Sequence, residues 1–298
     1  MIDEMRGRAV DPASGGPDRI RIGIGAPGIE RLEARLHGRA FSPHRHDTYA
    51  IGVTLAGVQT FHFRGARWQC LPGQCHILHP DEMHDGAAGT GEGFQYRIVY
   101  VDPFVIQEAL GGGPLPFVAC PVVDAIHLPA GAVSEIGDID SELDEIARVE
   151  LAVTLAAVLA AASSKIRRSP GRLALDRLRR VRELLAARPA ARHSMQELER
   201  VAGLDRWTLA RQFRAAFGTS PSRFRTQRQL DLVRRLVAQG RSLSDAAIDA
   251  GFADQSHMSR HFKRTYGLTP ARWASASALR PGSMFDPYRS SGSNGSAE

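Results

Sequence analysis

Residues 251–273 read GFADQSHMSRHFKRTYGLTPARW, and the last part, MSRHFKRTYGLTPARW (258–273), repeats an earlier pattern, LARQFRAAFGTSPSRF (209–224). At an offset of 49, Arg211 matches Arg260, Phe213 matches Phe262, Gly218 matches Gly267, Pro221 matches Pro270 and Arg223 matches Arg272. Arg214/Lys263, Phe217/Tyr266 and Phe224/Trp273 are chemically alike. Upstream the offset becomes 48, and Ala202-Gly203-Leu204 matches Ala250-Gly251-Phe252. A fixed-period repeat of this kind marks a duplicated supersecondary unit.

Each copy reads as helix, glycine-containing turn, helix, because only glycine adopts at little cost the left-handed backbone that a tight turn requires. Ser194 and Ser242 suit the caps of the first helices, and Asp205 and Asp254 those of the second. Gly218 and Gly267 stop the second helices, with proline three residues later. Leu209, Phe213 and Phe217, then Met258, Phe262 and Tyr266, step by four and predict a buried face. Two such units joined by a helix over about 222–239 are expected to share one core, faced by Leu230, Val233, Leu236 and Val237. A preceding helix over 174–187 places Leu175, Leu178, Val181, Leu184 and Leu185 on one side.

The other faces of the second helices carry Arg206, Trp207, Thr208 and Arg211 in the first copy, and Gln255, Ser256, His257, Ser259 and Arg260 in the second. These types suit a major groove: Arg pairs with guanine O6/N7, Gln with adenine, and Ser or His with phosphates or base edges. Two blander roles stand beside this one, Trp207 as a packing aromatic and His257 as a cap or phosphate contact.

Charge supports the division. The chain has 298 residues and a net charge of +6. Residues 1–162 hold 12 Arg/Lys against 21 Asp/Glu, residues 163–280 hold 25 against 9, and residues 281–298 hold 1 against 2. The balances, −9, +16 and −1, sum to the whole. An acidic half fused to a basic half is the footprint of a nucleic-acid module joined to something else, with the acidic part held away from the duplex. The longest low-polarity run, Leu151–Ala162, is about 12 residues, and a membrane span needs roughly 20. The start, MIDEMRGRAVDPASGG, has no apolar segment of the secretory type. Cys70, Cys75 and Cys120 lack zinc or redox spacing and read as reduced, buried thiols of a cytoplasmic protein.

Residues 19–125 break into short β-branched or aromatic runs, IRIGIG, YAIGVTLAG, VQTFHFRG, CHILHP and YRIVYV, separated by Gly, Pro and Asp. That pattern predicts a sandwich or barrel. Residues 134–167 then read as helix, with Leu143, Ile146, Val149 or Glu150, Val153 and Ala157 at helical steps. This segment either covers the barrel or forms a homodimer interface over 134–162, and the two roles are compatible. The leader 1–18, the linker 163–172 around Pro170-Gly171 and the tail 280–298 are expected to be loop-like or disordered.

Seven of the eleven histidines lie between His37 and His84. His44 and His46, at i and i+2, share one strand face, and His84 follows a Pro-Gly turn and a strand. Three such imidazoles could line an effector pocket, bind Zn²⁺, Ni²⁺ or Fe²⁺, or be ordinary side chains. Arg45, Tyr49, Tyr96 and Arg97 join them as pocket candidates, with Arg97 suited to an anionic effector. Alternation allows only one of Tyr96 and Arg97 to face inward.

Residues 173–275, above all 251–273, resemble the DNA-binding domain of the AraC/XylS transcription regulators, with Met258 where that family often has Phe. The histidine pattern of 19–125 resembles the cupin sensor of the same family, without the carboxylate that metal cupins place near Tyr49. The resemblance implies a two-domain α+β protein. A cupin-like sensor spans 19–162, and an all-α domain of two helix-turn-helix units spans 173–279. It also implies recognition helices in successive major grooves, about 34 Å apart. By position Trp207, Arg211, Gln255, Ser256, His257 and Arg260 match residues the family uses on DNA. One departure is Glu199, where the family packs a small residue; it must reach solvent or pair with an arginine. The implied function is an effector-responsive regulator, with promoter DNA, a small molecule and, for an activator, RNA polymerase as partners. No cofactor is implied. A metal-cupin enzyme and an architectural DNA binder are the competing classes. No Ser-His-Asp arrangement, P-loop or Rossmann glycine motif favours other catalysis.

Overall fold

The computed structural model describes residues 18–163 and 173–277, so the expected tail, all of the linker but Ser163 and all of the leader but Asp18 lie outside the described residues. The chain opens with nine strands: β1 (Arg19–Ile22), β2 (Ile29–Leu36), β3 (Arg39–His44), β4 (Tyr49–Gly57), β5 (Gln59–Phe63), β6 (Ala66–Cys70), β7 (Gln74–Leu78), β8 (His84–Ala88) and β9 (Phe94–Val101). Helix α1 (Pro103–Ala109) and a short edge strand, β10 (Val122–Asp124), follow. The strands form a six-stranded sheet in the order β1-β2-β9-β4-β7-β10, facing a four-stranded sheet in the order β3-β8-β5-β6.

Alternation sorts the long strands. Ala50, Leu78, Tyr96 and Ile98 point between the sheets with Phe61, Phe63 and Phe94. Tyr49, Ile51, Val53, Val99 and Val101 point to the opposite face, under the helices. Strand β2, IERLEARL, carries no obvious strand signal. Its Leu32, Ala34 and Leu36 face the inner core, and Arg31 is buried by donating to the carbonyls of Ile24, Asp138 and Ser141. Tertiary partners decide that segment, because a buried guanidinium needs several acceptors at once.

The helical segment divides into α2 (Ala132–Gly137) and α3 (Glu145–Ala162). The side of α3 that packs on the sheet carries Leu151, Leu155, Val158 and Leu159. The stripe expected from spacing, Ile146, Val149 and Val153, is instead exposed by 70%, 51% and 52%. A helix apolar on most sides leaves its phase to the surface it meets. Cys70 and Cys75 are buried thiols, raised to about 11 and about 12 by desolvation, whereas Cys120 is exposed, contrary to expectation.

The basic half is helical: α4 (Leu175–Ala187), α5 (Met195–Ala202), α6 (Arg206–Phe217), α7 (Pro221–Ala238), α8 (Leu243–Asp249), α9 (Gln255–Tyr266) and α10 (Pro270–Ser277). All four expected caps form: Ser194, Asp205, Ser242 and Asp254 each accept from a backbone N–H of the following turn. The two units share α7 but not a core. Leu178, Leu198, Leu209, Phe213, Phe217 and Phe224 form one cluster. Leu230, Val233, Ala247, Met258 and Phe262 form another. The connecting helix is long enough, at 18 residues, to give its first half to one core and its second half to the other. Among the described residues no helix is long and apolar enough to cross a membrane.

Phe213 is fully buried between the rings of Phe217 and Phe224. Phe213→Ala is expected to cost about 3–5 kcal/mol in urea unfolding, with the far-ultraviolet signal retained below the transition.

Candidate nucleic-acid interface and interdomain cavity

The two second helices are built alike. Asp205 accepts from Trp207 N and Thr208 N, both at 3.0 Å, and Asp254 from His257 N at 2.6 Å. Their inner residues are committed to the cores, which leaves Trp207 71% exposed and Arg211, Gln255, Ser256 and Arg260 at the surface. Arg206 is tethered: Glu199 accepts its backbone N–H at 2.8 Å and its guanidinium Nε at 3.2 Å. Glu199 therefore finds the arginine partner that its half-buried position demands. Arg211 donates to Thr208 Oγ1 at 3.1 Å, which braces the side chain along the helix.

His257 is half-buried. Its ring meets Phe252 edge-on, and its Nε2 lies 3.1 Å from His261 Nε2, so one of the pair donates and the other accepts. His261 has its pKa lowered by desolvation and by the neighbouring His257, Arg264 and Arg260.

Both units dock on the barrel at equivalent points. Gly218 and Gly267 end α6 and α9 with φ of 71° and 70°. A Cβ on Gly218 would fall 2.6 Å from Pro80 Cβ, and one on Gly267 would fall 2.9 Å from His44 Nδ1. The close approach of the barrel, as well as the backbone angle, requires glycine here. Ser42 N donates to Gly267 O at 3.0 Å and Arg45 N to Arg264 O at 2.9 Å. The matched arginines repeat the arrangement, Arg223 with Asp81 and Arg272 with Asp18.

Between barrel and helices lies a cavity with about 890 Å³ of empty space, its mouth included. The barrel supplies Ile29, Leu32, Phe41, His44, His46, Tyr96 and Tyr100, and the helices supply Tyr266, Leu268 and Trp273. Glu30, Asp102, Arg228, Asp231 and Arg234 line it as well, and Asp47 and Arg182 stand behind them. Arg234 grips Glu30 with bonds of 3.0 and 2.7 Å. Arg228 reaches Asp47 at 3.1 Å and Asp231 at 3.2 Å, and Arg182 pairs with Asp102 at 2.5 Å. Asp47 is pushed up to about 7, since burial and the nearby Asp231 and Asp102 outweigh Arg228.

Desolvation holds His44 at about 4 and His46 at about 3, and His84 well below its ordinary value. Each Nδ1 lies 2.9 Å from a backbone carbonyl two residues away: Ser42 for His44, Thr48 for His46, Glu82 for His84. A neutral ring that donates from Nδ1 keeps a lone pair on Nε2. The rings of His44 and His46 lie 4.3 and 4.8 Å from that of His84. Among the described residues, no group of three or more His, Cys, Asp or Glu side chains is disposed to hold a metal ion.

Comparison with known proteins agrees with this layout. The AraC-like ligand binding domain family matches residues 26–156, and a helix-turn-helix domain family matches residues 198–276. The HTH-type transcriptional regulator YbfI of Bacillus subtilis is 27% identical over 223 residues, 73% of this chain and 81% of that protein. RipA of Corynebacterium glutamicum, another HTH-type transcriptional regulator, is 32% identical over 37% of this chain and 33% of its own length. The solved structure of ToxT from Vibrio cholerae superposes with a TM-score of 0.58 at 12% identity, covering 84% of this chain and 98% of that one. That last likeness is one of fold.

The chain belongs to the AraC/XylS family of transcription regulators.

In this AraC-type regulator His44, His46 and Tyr96 meet in the cavity. His84 stands behind them and opens towards a surface cleft with Arg64, Glu82 and Met83. Arg45, Tyr49 and Arg97 do not line the cavity, and Arg45 lies 3.9 Å from Asp81 instead. Tyr49 lies on the helix-covered face and donates to Pro116 O at 2.8 Å. Arg97 points to the same side, donating to Glu33 at 2.7 Å and Gly137 O at 2.6 Å. Sequence reasoning missed Glu30, Tyr100, Asp102, Gln227, Arg228, Asp231 and Arg234, because half of this wall belongs to the DNA-binding body. The one signal was the three-residue spacing of Arg228, Asp231 and Arg234, which puts them on one side of a helix.

Buried neutral imidazoles make stability depend on pH. Below about pH 6.5 the unfolded chain takes up protons that His44, His46, His76 and His84 refuse in the fold, so acid weakens it. Asp47 acts oppositely, binding a proton in the fold as pH falls through about 7. Four against one leaves a net loss from pH 7 towards pH 5. His46→Gln should flatten that slope by about 1.4 kcal/mol per pH unit in urea titrations.

Proposed function

We propose that the cavity between barrel and helices is the effector site of this regulator, and that its occupant sets how the DNA-binding body sits on the sensor. The reading rests on one observation above all: the same cavity is walled by His44, His46, Tyr96 and Tyr100 of the sensor and by Arg228, Arg234, Tyr266 and Trp273 of the DNA-binding body. A ligand there touches both domains, so it binds one arrangement better than another and shifts the population between them. Tyr96, rather than Arg97, contributes from β9. The sensor spans 19–162 and the DNA-binding body 173–279.

On DNA, Trp207 and Arg211 act for the first unit, with Thr208 bracing Arg211 and Arg206 held by Glu199. Gln255, Ser256 and Arg260 act for the second, with Ser259 and the half-buried His257 at its edge. These residues lie on the outer sides of two capped helices, Trp207, Arg211, Gln255, Ser256 and Arg260 exposed, which is the supply of base and phosphate contacts that this architecture offers. Arg260→Ala should cost about 1–3 kcal/mol in specific binding and relax sequence preference, while melting temperature stays unchanged. A DNase footprint on the target promoter left intact by that change would remove Arg260 from the reading set.

The exposed Ile146, Val149 and Val153 of α3 suit a second copy of this chain, so the regulator works as a homodimer. Ile146→Glu with Val153→Glu should then convert a dimeric sedimentation profile to a monomeric one without loss of fold. A monomeric parent would end that reading. The chain acts in the cytoplasm on the nucleoid without catalysis of its own, and an activating role would bring RNA polymerase as a partner.

A further inference from the structure

The charges around the cavity pair off. Glu30 accepts from Arg234 at 3.0 and 2.7 Å, and Asp231 accepts from Tyr266 OH at 2.9 Å and lies 3.2 Å from Arg228. Asp102 is matched by Arg182 behind the wall, and burial favours the neutral form of Asp47 by pushing it up to about 7. The lining therefore holds no surplus charge of either sign for an occupant to neutralise. Arg234 also covers the rings of Tyr266 and Trp273, at 5.2 and 5.1 Å from their centres, so a cation already occupies those aromatic faces. A net charge brought into a desolvated, balanced site loses its hydration and gains no counter-ion.

The other polar groups of the lining are neutral too. Desolvation lowers His44 to about 4 and His46 to about 3, and it raises the phenols of Tyr96 and Tyr100. His44 and His46 engage backbone carbonyls through Nδ1, which leaves Nε2 as an acceptor. His46 is only 8% exposed, and among the described residues its Nε2 has no hydrogen-bond partner. Arg234 Nε is a buried donor without a partner in the same sense. Both residues line the cavity.

These two atoms ask for opposite halves of a hydrogen bond, one a donor and the other an acceptor. A carboxylate only accepts and an ammonium only donates, whereas a hydroxyl does both and brings no charge. The rest of the wall, Ile29, Leu32, Phe41 and Leu268 with the rings of Tyr96 and Tyr100, suits an apolar body.

We propose that the effector is an uncharged hydroxyl compound, an alcohol or phenol on an apolar or aromatic body, and that the cavity discriminates against both the ammonium and the carboxylate analogue of the same shape. The proposal rests on the reading of this cavity as the effector site and adds the chemical class of its occupant. The hydroxyl donates to His46 Nε2, and ligand oxygen accepts from the Arg234 side of the wall.

The test uses the full-length protein near neutral pH and matched probes: 2-phenylethanol, 2-phenylethylamine, phenylacetate and ethylbenzene, with hexanol, hexylamine and hexanoate as the aliphatic set. Binding is read by isothermal titration calorimetry and by the shift in melting temperature at millimolar ligand. An alcohol from either set should raise the melting temperature and bind about tenfold tighter than its amine or its carboxylate. 2-Phenylethanol should also bind about fivefold tighter than ethylbenzene, which fills the same space without the hydroxyl. His46→Phe should erase that last margin and leave ethylbenzene binding in place, whereas His46→Gln, which keeps an acceptor, should retain it. The unliganded melting temperature reports whether each variant folds, and the comparison of probes on the parent protein needs no variant. A carboxylate or an amine binding tighter than its alcohol, with loss on Phe41→Ala, would overturn the uncharged class and leave the cavity as the effector site. Binding of every probe that is indifferent to His46→Phe and Phe41→Ala alike would overturn the cavity reading itself. Silence of both alcohols also counts against a hydroxyl effector.

Discussion

Arg228 sits on the helix shared by both repeats and reaches across to Asp47 of the barrel, and both partners are less than one-tenth exposed. The rest of the arrangement hangs on this contact and its neighbours. Arg182 with Asp102, Arg234 with Glu30, Arg223 with Asp81, Arg272 with Asp18 and Arg179 with Glu108 complete a set of six arginines of the basic body on six carboxylates of the acidic one. The exposed pairs contribute little each. The buried ones are different: removing one partner leaves a desolvated charge, at a cost of about 3–5 kcal/mol. Such pairs fix orientation more than they add stability, because a small displacement forfeits much of the attraction and none of the desolvation cost. An interface held in this way has discrete fits, which is what a switch requires.

The charge division therefore has two uses. Part of the basic excess, Arg211 and Arg260 among it, stays exposed on the outer sides of the second helices. Another part is spent inside the molecule, on the sensor. The repeat carries the same duality. Its aromatic steps build the two cores, and its capped outer faces carry exposed side chains. Its shared Gly-x-x-Pro-x-Arg ending lies against the barrel at both copies. The sensor thus touches each unit at the same point of its second helix, so a change at the interface is felt by both.

Much of the fold was legible in the chain. The caps at Ser194, Asp205, Ser242 and Asp254 are local events between a side chain and the next turn, and local events are written locally. Strands with clean alternation, such as YRIVYV, could be read, and the rule that only one of Tyr96 and Arg97 faces inward held. Strand β2 could not, since its buried Arg31 is satisfied by carbonyls more than a hundred residues away. Which side of α3 packs on the sheet was not legible, because an Ala/Leu-rich helix offers more than one apolar side. The cavity wall was half read: the histidines announce themselves, but Tyr49 points to the other face of its strand, and Arg228, Asp231 and Arg234 look like a solvated helix surface until the barrel is placed over them.

By itself the sequence determined the duplicated helix-turn-helix, its caps and cores, the acidic and basic halves, and the barrel class of the first half. These follow from periodicity, turn chemistry and composition, which act over a few residues or sum over many. Only the tertiary structure decided that the two units keep separate cores, that the acidic half docks on the basic half, and that a cavity lined by buried charged pairs lies between them. Those facts depend on which charges lose their water together. Desolvation is a property of the surroundings in three dimensions and of no segment alone.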